Sequence, residues 1–168
     1  MTNNDILRRI RYIFDLKNPA MIEIFSLAEH TVSNAEITGW LRKDDHDAFI
    51  KLRDTELAIF LNGMINLHRG KREGEQQVPE KSLNNNIILQ KLRIALNLRA
   101  EDIIDILELV EFPLGKSELS AFFRKPDHKH YRECKNQILR NFLAGLQHKY
   151  RPSENPTSNV WVKRNAAQ

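Results

Sequence analysis

NNDILRRIRYIF at residues 3–14 returns as NNIILQKLRIAL at residues 85–96, and this recurrence decides the fold. Holding the offset of 82 residues without a gap aligns 3–65 with 85–147, and 19 of the 63 aligned pairs are identical. Apolar residues in both copies recur at helical spacing, and an internal period of this kind identifies a duplicated unit. The sequence therefore predicts an all-α protein, an internal duplication of a four- to five-helix unit whose two halves pack with pseudo-symmetry.

Local signals predict how the helices of each copy begin. The runs Asn3-Asn4 and Asn84-Asn85-Asn86 stand where an N-cap belongs, and their short side chains can accept hydrogen bonds from the first amides of a helix. Ser33 and Glu36 form the spacing of a capping box, which starts the third helix. A short helix is expected around Phe49 in the first copy and around Tyr131 in the second.

Two pairs of matched residues predict tertiary packing. Gly63 and Gly145 lie inside the last helix of each copy, where glycine costs about 1 kcal/mol relative to alanine. The expected reason is the close approach of a neighbouring helix. Trp40 and Phe122 replace one another at the apolar position of the third helix, so both are predicted to be buried at equivalent places.

The duplication divides the chain into four predicted segments. These are a helical repeat at 1–66, a polar linker at 67–83, a second helical repeat at 84–149 and a flexible or docked basic tail at 150–168. The net formal charge is +4, of which the residues from 148 onward supply +3. This distribution argues against a dedicated DNA-binding domain, which usually has a concentrated basic face.

Composition excludes several classes of protein. Hydrophobic residues make up 41% of the chain, an ordinary value for a globular protein, and no apolar run approaches the roughly 18 residues of a membrane span. The polar N-terminus lacks the pattern of a signal peptide. With a single cysteine no intrachain disulfide can form, so we expect a cytoplasmic protein without a membrane partner.

Three signatures carry a family resemblance: NNNIILQKLRIAL at 84–96, RKPDHKHYREC at 124–134 and LRNFLAGL at 139–146. Together they resemble the YehS-like family, small bacterial cytoplasmic proteins built from two tandem copies of a domain of unknown function. The resemblance extends from residue 3 to about residue 148 and leaves the tail outside. It implies the helical fold and the cytoplasmic compartment, and it implies no activity.

The repeated motif Arg-Lys-x-Asp-His is the main candidate binding site. Two cations with an aspartate and a histidine could bind a phosphate or support proton transfer. The alternative interpretation is structural, because cations favour a helix C-terminus and aspartate caps the next helix. The candidate residues are Arg42, Lys43, Asp45 and His46 in the first copy and Arg124, Lys125, Asp127, His128, Lys129 and Arg132 in the second.

Other chemistry has weaker support in the sequence. Arg11 and Arg93 stand at equivalent positions beside the apolar stripe of the first helix, and we expect each to form a structural ion pair with a carboxylate such as Glu36 or Asp45. His130 has no counterpart in the first copy, which argues against a metal site. No catalytic residues, metal or cofactor are predicted, because no nucleophile elbow, phosphate loop or dinucleotide fingerprint occurs.

Three functional hypotheses follow, and the first two favour a non-enzymatic protein. The first is an adaptor that binds a protein partner. The second is a nucleic-acid-binding regulator, which would use the helix-turn-helix-like second and third helices together with the basic run 124–140. The third is a small-ligand protein or enzyme that uses the repeated Arg-Lys-x-Asp-His loops. The sequence leaves the oligomeric state open.

Overall fold

A computed structural model describes residues 1–152, which contain eight α-helices and no strand. Most of the predicted tail lies outside the described residues. The helices are α1 (Asn3–Ile13), α2 (Asn18–Leu27), α3 (Asn34–Leu41), α4 (Asp54–Arg69), α5 (Asn85–Ala95), α6 (Ala100–Glu108), α7 (Lys116–Ala121) and α8 (Asn136–Tyr150).

The duplication seen in the sequence is repeated in the backbone. Each of α5 to α8 begins 82 residues after its counterpart among α1 to α4. Among residues 1–152, four non-glycine residues adopt the left-handed conformation, and they form two pairs at the same offset: Asp15 with Asn97, and Glu29 with Glu111. Such residues are uncommon in proteins, so their recurrence shows that the loops after the first and second helices were duplicated along with the helices. The all-α fold and the internal duplication are therefore confirmed.

The first compact unit runs from Met1 to Leu96 and contains five helices. Within it α2 packs against α3 and α4, α1 packs against α3 and α4, and α5 packs against α4. Aromatic rings fill the centre: the ring of Phe25 lies 5.3 Å from the rings of both Trp40 and Phe60. The unit therefore includes the first helix of the second repeat, which the sequence alone assigns to the other half.

The second compact unit begins at Asn97 and contains α6, α7 and α8. Here α6 packs against α7 and α8. Ile106, Leu107, Leu139 and Phe142 are buried. Phe122 is also buried, as Trp40 is in the first unit, so the predicted equivalence of these two positions is confirmed.

The matched glycines mark the tightest helix contacts in both units. A Cβ atom at Gly63 would overlap the carbonyl oxygen of Ile24 on α2. A Cβ atom at Gly145 would overlap the carbonyl oxygen of Ile106 on α6. The prediction of a close helix approach is confirmed, and the reason is that no side chain fits between these backbones.

The structure differs from the local predictions in three places. No helix forms around Phe49 or Tyr131, and both copies of the repeat form a hydrogen-bonded turn there instead. The N-cap of α1 is Thr2, whose hydroxyl accepts from the amide of Asp5, because Asn3 and Asn4 already belong to the helix. In the second copy the prediction is confirmed, since Asn84 is the N-cap of α5 and its side chain accepts from the amide of Ile87. The last helix of the first repeat continues to Arg69, three residues past the predicted boundary, and its last three residues are exposed.

Candidate functional site

The first Arg-Lys-x-Asp-His loop leads from α3 towards α4 as a compact turn. The amide of His46 donates to the carbonyl of Lys43 over 3.0 Å, and the amide of Ala48 donates to Nδ1 of the His46 ring over 2.9 Å. The imidazole of His46 therefore stabilises its own loop by accepting a backbone hydrogen bond, as a capping side chain does.

The second loop has the same geometry. The amide of His128 donates to the carbonyl of Lys125 over 2.9 Å, and the amide of His130 donates to Nδ1 of His128 over 3.0 Å. The conserved histidine therefore has a structural use in both copies. The aspartates do not cap a following helix, because none follows directly: Asp45 and Asp127 are exposed and make no hydrogen bond or ion pair with other described residues.

The cations of the two loops differ in their surroundings. Arg42 is the C-cap of α3, its carbonyl accepts from Nη1 of Arg8, and its own Nη1 lies 3.0 Å from Nε2 of His46. Its counterpart Arg124 and the following Lys125 are exposed, and neither forms an ion pair within the described residues. The structure therefore places the first arginine in a local network and leaves the second pair of cations facing solvent.

Arg11 does not form the ion pair expected of it. It is exposed on α1 and has no ionic partner among the described residues. The carboxylate of Glu36 accepts from the amide of Ser33 over 3.0 Å, since the predicted capping box at the start of α3 is formed. Arg93, the counterpart of Arg11, is half-buried on α5.

The helix-turn-helix interpretation requires polar side chains on the third helix of each copy that are free to contact bases, and in the structure several of them contact neighbouring residues. Nδ2 of Asn18 on α2 donates to the side-chain oxygens of Asn34 and Thr38, 2.9 and 3.1 Å away, so the polar face of α3 contacts its neighbour. In the second unit Lys116 forms an ion pair of 2.7 Å with Glu101. Moreover, α3 has 8 residues and α7 has 6, which leaves Arg42 and Arg124 outside the helices that would present them to a groove.

Acidic and basic residues are concentrated in different parts of the second unit. Residues 97–123 carry two Lys or Arg against six acidic residues, whereas residues 124–151 carry eight against two. The matching segment of the first copy, 42–69, carries five of each sign. Arg124, Lys125, Lys129, Arg132 and Lys135 are all exposed. We call residues 124–151 the basic segment.

Metal chemistry has no support in the described part of the chain, where no three His, Cys, Asp or Glu side chains gather at a possible metal site. The single cysteine is structural. Cys134 is buried in the second unit, and burial raises the pKa of its thiol to about 12. The thiol therefore stays protonated at neutral pH, a state in which cysteine is a poor nucleophile.

One residue that organises the first loop, Asn4, is not among the candidates that the sequence predicts. Asn4 is buried, its Nδ2 donates to the carbonyls of Trp40 and Ile50, and its Oδ1 accepts from the amide of Leu52. The identity of Asn4 with Asn86 in the alignment was the available signal. This identity by itself predicts only a helix cap, because the pattern of apolar residues does not show which polar side chains are buried.

These features define a two-repeat helical protein, and comparison with known proteins places it in a family. The chain belongs to the family described as protein of unknown function (DUF1456), whose model matches residues 3–70 and 85–151, the two copies found here. It is 44% identical over 147 residues to the uncharacterized protein YehS of Escherichia coli strain K12, covering 87% of this chain and 94% of that protein. No solved structure gives a significant match. Among the described residues, no helix has the length and apolar character needed to cross a membrane.

Proposed function

We propose that the chain is a non-enzymatic nucleic-acid-binding protein and that the basic segment carries the contact. The observation that supports this most is the excess of eight cationic over two acidic residues in 124–151. Phosphate backbones attract clustered Lys and Arg without regard to base sequence. The cytoplasmic location stays a prediction from the sequence.

Exposure supports the proposal further. Arg124, Lys125 and Lys129 face solvent and form no ion pair within the described residues, so their charge is available to a phosphate. Of the two acidic residues in the segment, Glu133 already pairs with Lys135 at 3.1 Å. Because no helix of the expected length presents side chains to base edges, the contact would be to phosphates and largely independent of sequence.

A protein-binding adaptor is the alternative. Large exposed apolar side chains within the described residues occur singly on different elements, among them Leu67 on α4 and Ile94 on α5. Single exposed apolar residues are normal on soluble proteins and do not by themselves mark an interface. The first hypothesis from the sequence therefore has less support than the second.

The test is fluorescence anisotropy with labelled duplex DNA and single-stranded RNA at two salt concentrations. If about four phosphates are neutralised, affinity should fall on the order of 100-fold between 50 and 200 mM salt. The variant Lys125→Glu/Lys129→Glu should lose at least about tenfold in affinity, since two repulsive charges replace two attractive ones.

The duplication supplies a matched control. Lys43→Glu/Lys51→Glu makes the same change of charge on exposed residues of the first loop, and we expect it to change affinity by less than about threefold. Equal losses in both variants would mean that net charge alone, and not the basic segment, attracts nucleic acid. The absence of binding at 50 mM salt would contradict the proposal and leave the adaptor hypothesis.

A further inference from the structure

The first unit contains a polar cleft that the Arg-Lys-x-Asp-His loops do not touch. Its floor is Asn62 and Asn66 of α4, and the segment after α4 forms a rim with Arg72 and Gln76. Ile65 and Ala28 complete an apolar wall. The cavity volume is about 170 Å³, smaller than the roughly 300 Å³ at which pockets for larger ligands begin. A single planar ring system is therefore the appropriate size.

The hydrogen bonds of the floor leave one donor group and one acceptor. Oδ1 of Asn62 accepts from Nζ of Lys91 over 2.6 Å, so this buried side chain has its NH₂ group left without a partner among the described residues. Nδ2 of Asn66 donates to the carbonyl of Leu27 and to Oε1 of Gln76, which leaves its Oδ1 unpaired. Asn62 and Asn66 are four residues apart, so both lie on one face of α4.

A buried ion pair holds this floor in place. Lys91 of α5 is almost fully buried, and its Nζ lies 2.9 Å from a carboxylate oxygen of Glu80. The hydrogen bond from Lys91 fixes the orientation of the Asn62 side-chain amide. A selective polar contact with a ligand requires such a fixed orientation.

The second copy has apolar residues at the backbone positions that match the floor and wall of this cleft. Val110 and Ala144 stand where Ala28 and Asn62 stand in the first copy, and Phe112 packs against them. All three are apolar, and Val110 and Ala144 are buried. The fold is thus stable with this place filled by apolar side chains, so the open polar version in the first copy is not a requirement of the architecture.

We infer that this cleft binds a nucleoside monophosphate. A nucleobase edge offers an acceptor beside a donor, which matches the NH₂ group of Asn62 and Oδ1 of Asn66, and the base face suits the wall of Ile65 and Ala28. Arg72 is exposed at the rim and has no ion pair within the described residues, so its guanidinium can pair with the phosphate. No acidic residue lines the cleft, which disfavours an amino acid, whose ammonium group would lack a counter-charge. The inference does not depend on the basic segment, which lies in the other unit.

The test is an NMR titration of the full chain that follows the side-chain NH₂ signals of Asn62 and Asn66. The probes are AMP, GMP, CMP and UMP, with ribose 5-phosphate and inorganic phosphate as controls. At least one nucleotide should shift both NH₂ signals with saturation at millimolar concentration or below, whereas the two controls should not. If ribose 5-phosphate shifts these signals as much as the nucleotides, the cleft reads only phosphate and the inference is overturned.

Two variants locate the site. Ala28→Val/Asn62→Ala introduces the residues of the second copy and should reduce nucleotide affinity at least tenfold, while Asn34→Ala, at an exposed position on α3, should leave it unchanged. If the double variant does not fold, Arg72→Ala at the exposed rim serves instead and should make nucleotide and nucleoside bind equally. No shift of either NH₂ signal with any of the four nucleotides at 10 mM, or unchanged affinity in these variants, would overturn the inference whatever the outcome with nucleic acid.

Discussion

Asn4 shows how one buried polar side chain connects distant parts of the first unit. Its three hydrogen bonds join the start of α1 to the end of α3 and to the loop before α4, across sequence separations of 36 to 48 residues. Replacement by alanine leaves two carbonyls and one amide without partners. Since a buried unsatisfied polar group costs about 1–3 kcal/mol, Asn4→Ala should lower the free energy of unfolding by about 3–5 kcal/mol.

The measurement is a urea titration followed by circular dichroism. Asn34→Ala is the control, because its exposed side chain makes one hydrogen bond at the surface and should matter by less than about 0.5 kcal/mol. A loss below about 1 kcal/mol in Asn4→Ala would show that water replaces the lost partners.

Asp54 couples stability to pH at the start of α4. The amide of Leu83 and then the side chain of Asn3 donate to its carboxylate, and both hold the pKa of Asp54 below its usual value of 3.8. The carboxylate of Asp54 therefore binds a proton more tightly in the unfolded chain than in the folded one. The ionised carboxylate stabilises the fold above the unfolded pKa, and this stabilisation is lost as the pH falls through the lower folded pKa. The wild type should lose more stability between pH 5 and pH 2.5 than Asp54→Asn does.

Urea titrations of both proteins at the two pH values check this prediction. The difference between them reports Asp54 alone, because every other carboxylate titrates in both proteins. Parallel losses would mean that Asp54 has the same pKa in the folded and unfolded states.

At the scale of elements, the matched glycines decide how closely the helices pack. Alanine normally stabilises a helix relative to glycine by about 1 kcal/mol. Here the added methyl group would overlap the backbone of α2 or α6, so Gly63→Ala and Gly145→Ala should each destabilise the protein by about 1–3 kcal/mol. Gly115→Ala is the control, since the nearest atom to its Cβ is 3.5 Å away. Thermal melts that showed a gain at either helical glycine would refute the close packing.

The loops between elements illustrate how much of the candidate site the sequence could predict. The repeated Arg-Lys-x-Asp-His motif forms the same turn in both copies, and His46 and His128 each accept a hydrogen bond from the backbone of their own loop, a role that the sequence does not predict. The exposure of Lys125 and the local network of Arg42 were not predictable. Both depend on neighbours that are far away in sequence, and residue type does not report those neighbours.

At the scale of the whole molecule, repeat and compact unit do not coincide. The second repeat begins at α5, yet α5 packs against α4 within the first unit, where Lys91 meets Asn62 and Glu80. A fragment 1–83, cut at the repeat boundary, should therefore be less stable than a fragment 1–98. We expect the shorter fragment to melt at least about 10 °C lower, which corresponds to roughly 2 kcal/mol in a domain of this size.

Circular dichroism of the two fragments gives the melting temperatures. A variant of the longer fragment with Lys91→Met tests whether the buried charge or the apolar face of α5 provides the difference. Equal melting temperatures for 1–83 and 1–98 would mean that α4 is stable without α5.

The sequence by itself determined the helical fold, the duplication at an offset of 82 residues and the close helix contacts at Gly63 and Gly145. These follow from periodicity and from matched residues, which depend on neighbours along one helix or on comparison between the copies. Tertiary structure alone decided that Asn4 is a buried connector and that α5 belongs to the first unit. It also decided that Asn62 lines a polar cleft, whereas its counterpart Ala144 is buried in an apolar cluster. The physical reason is that these outcomes rest on contacts between residues about 30 to 50 positions apart, and the local pattern of polar and apolar residues does not encode which of them meet.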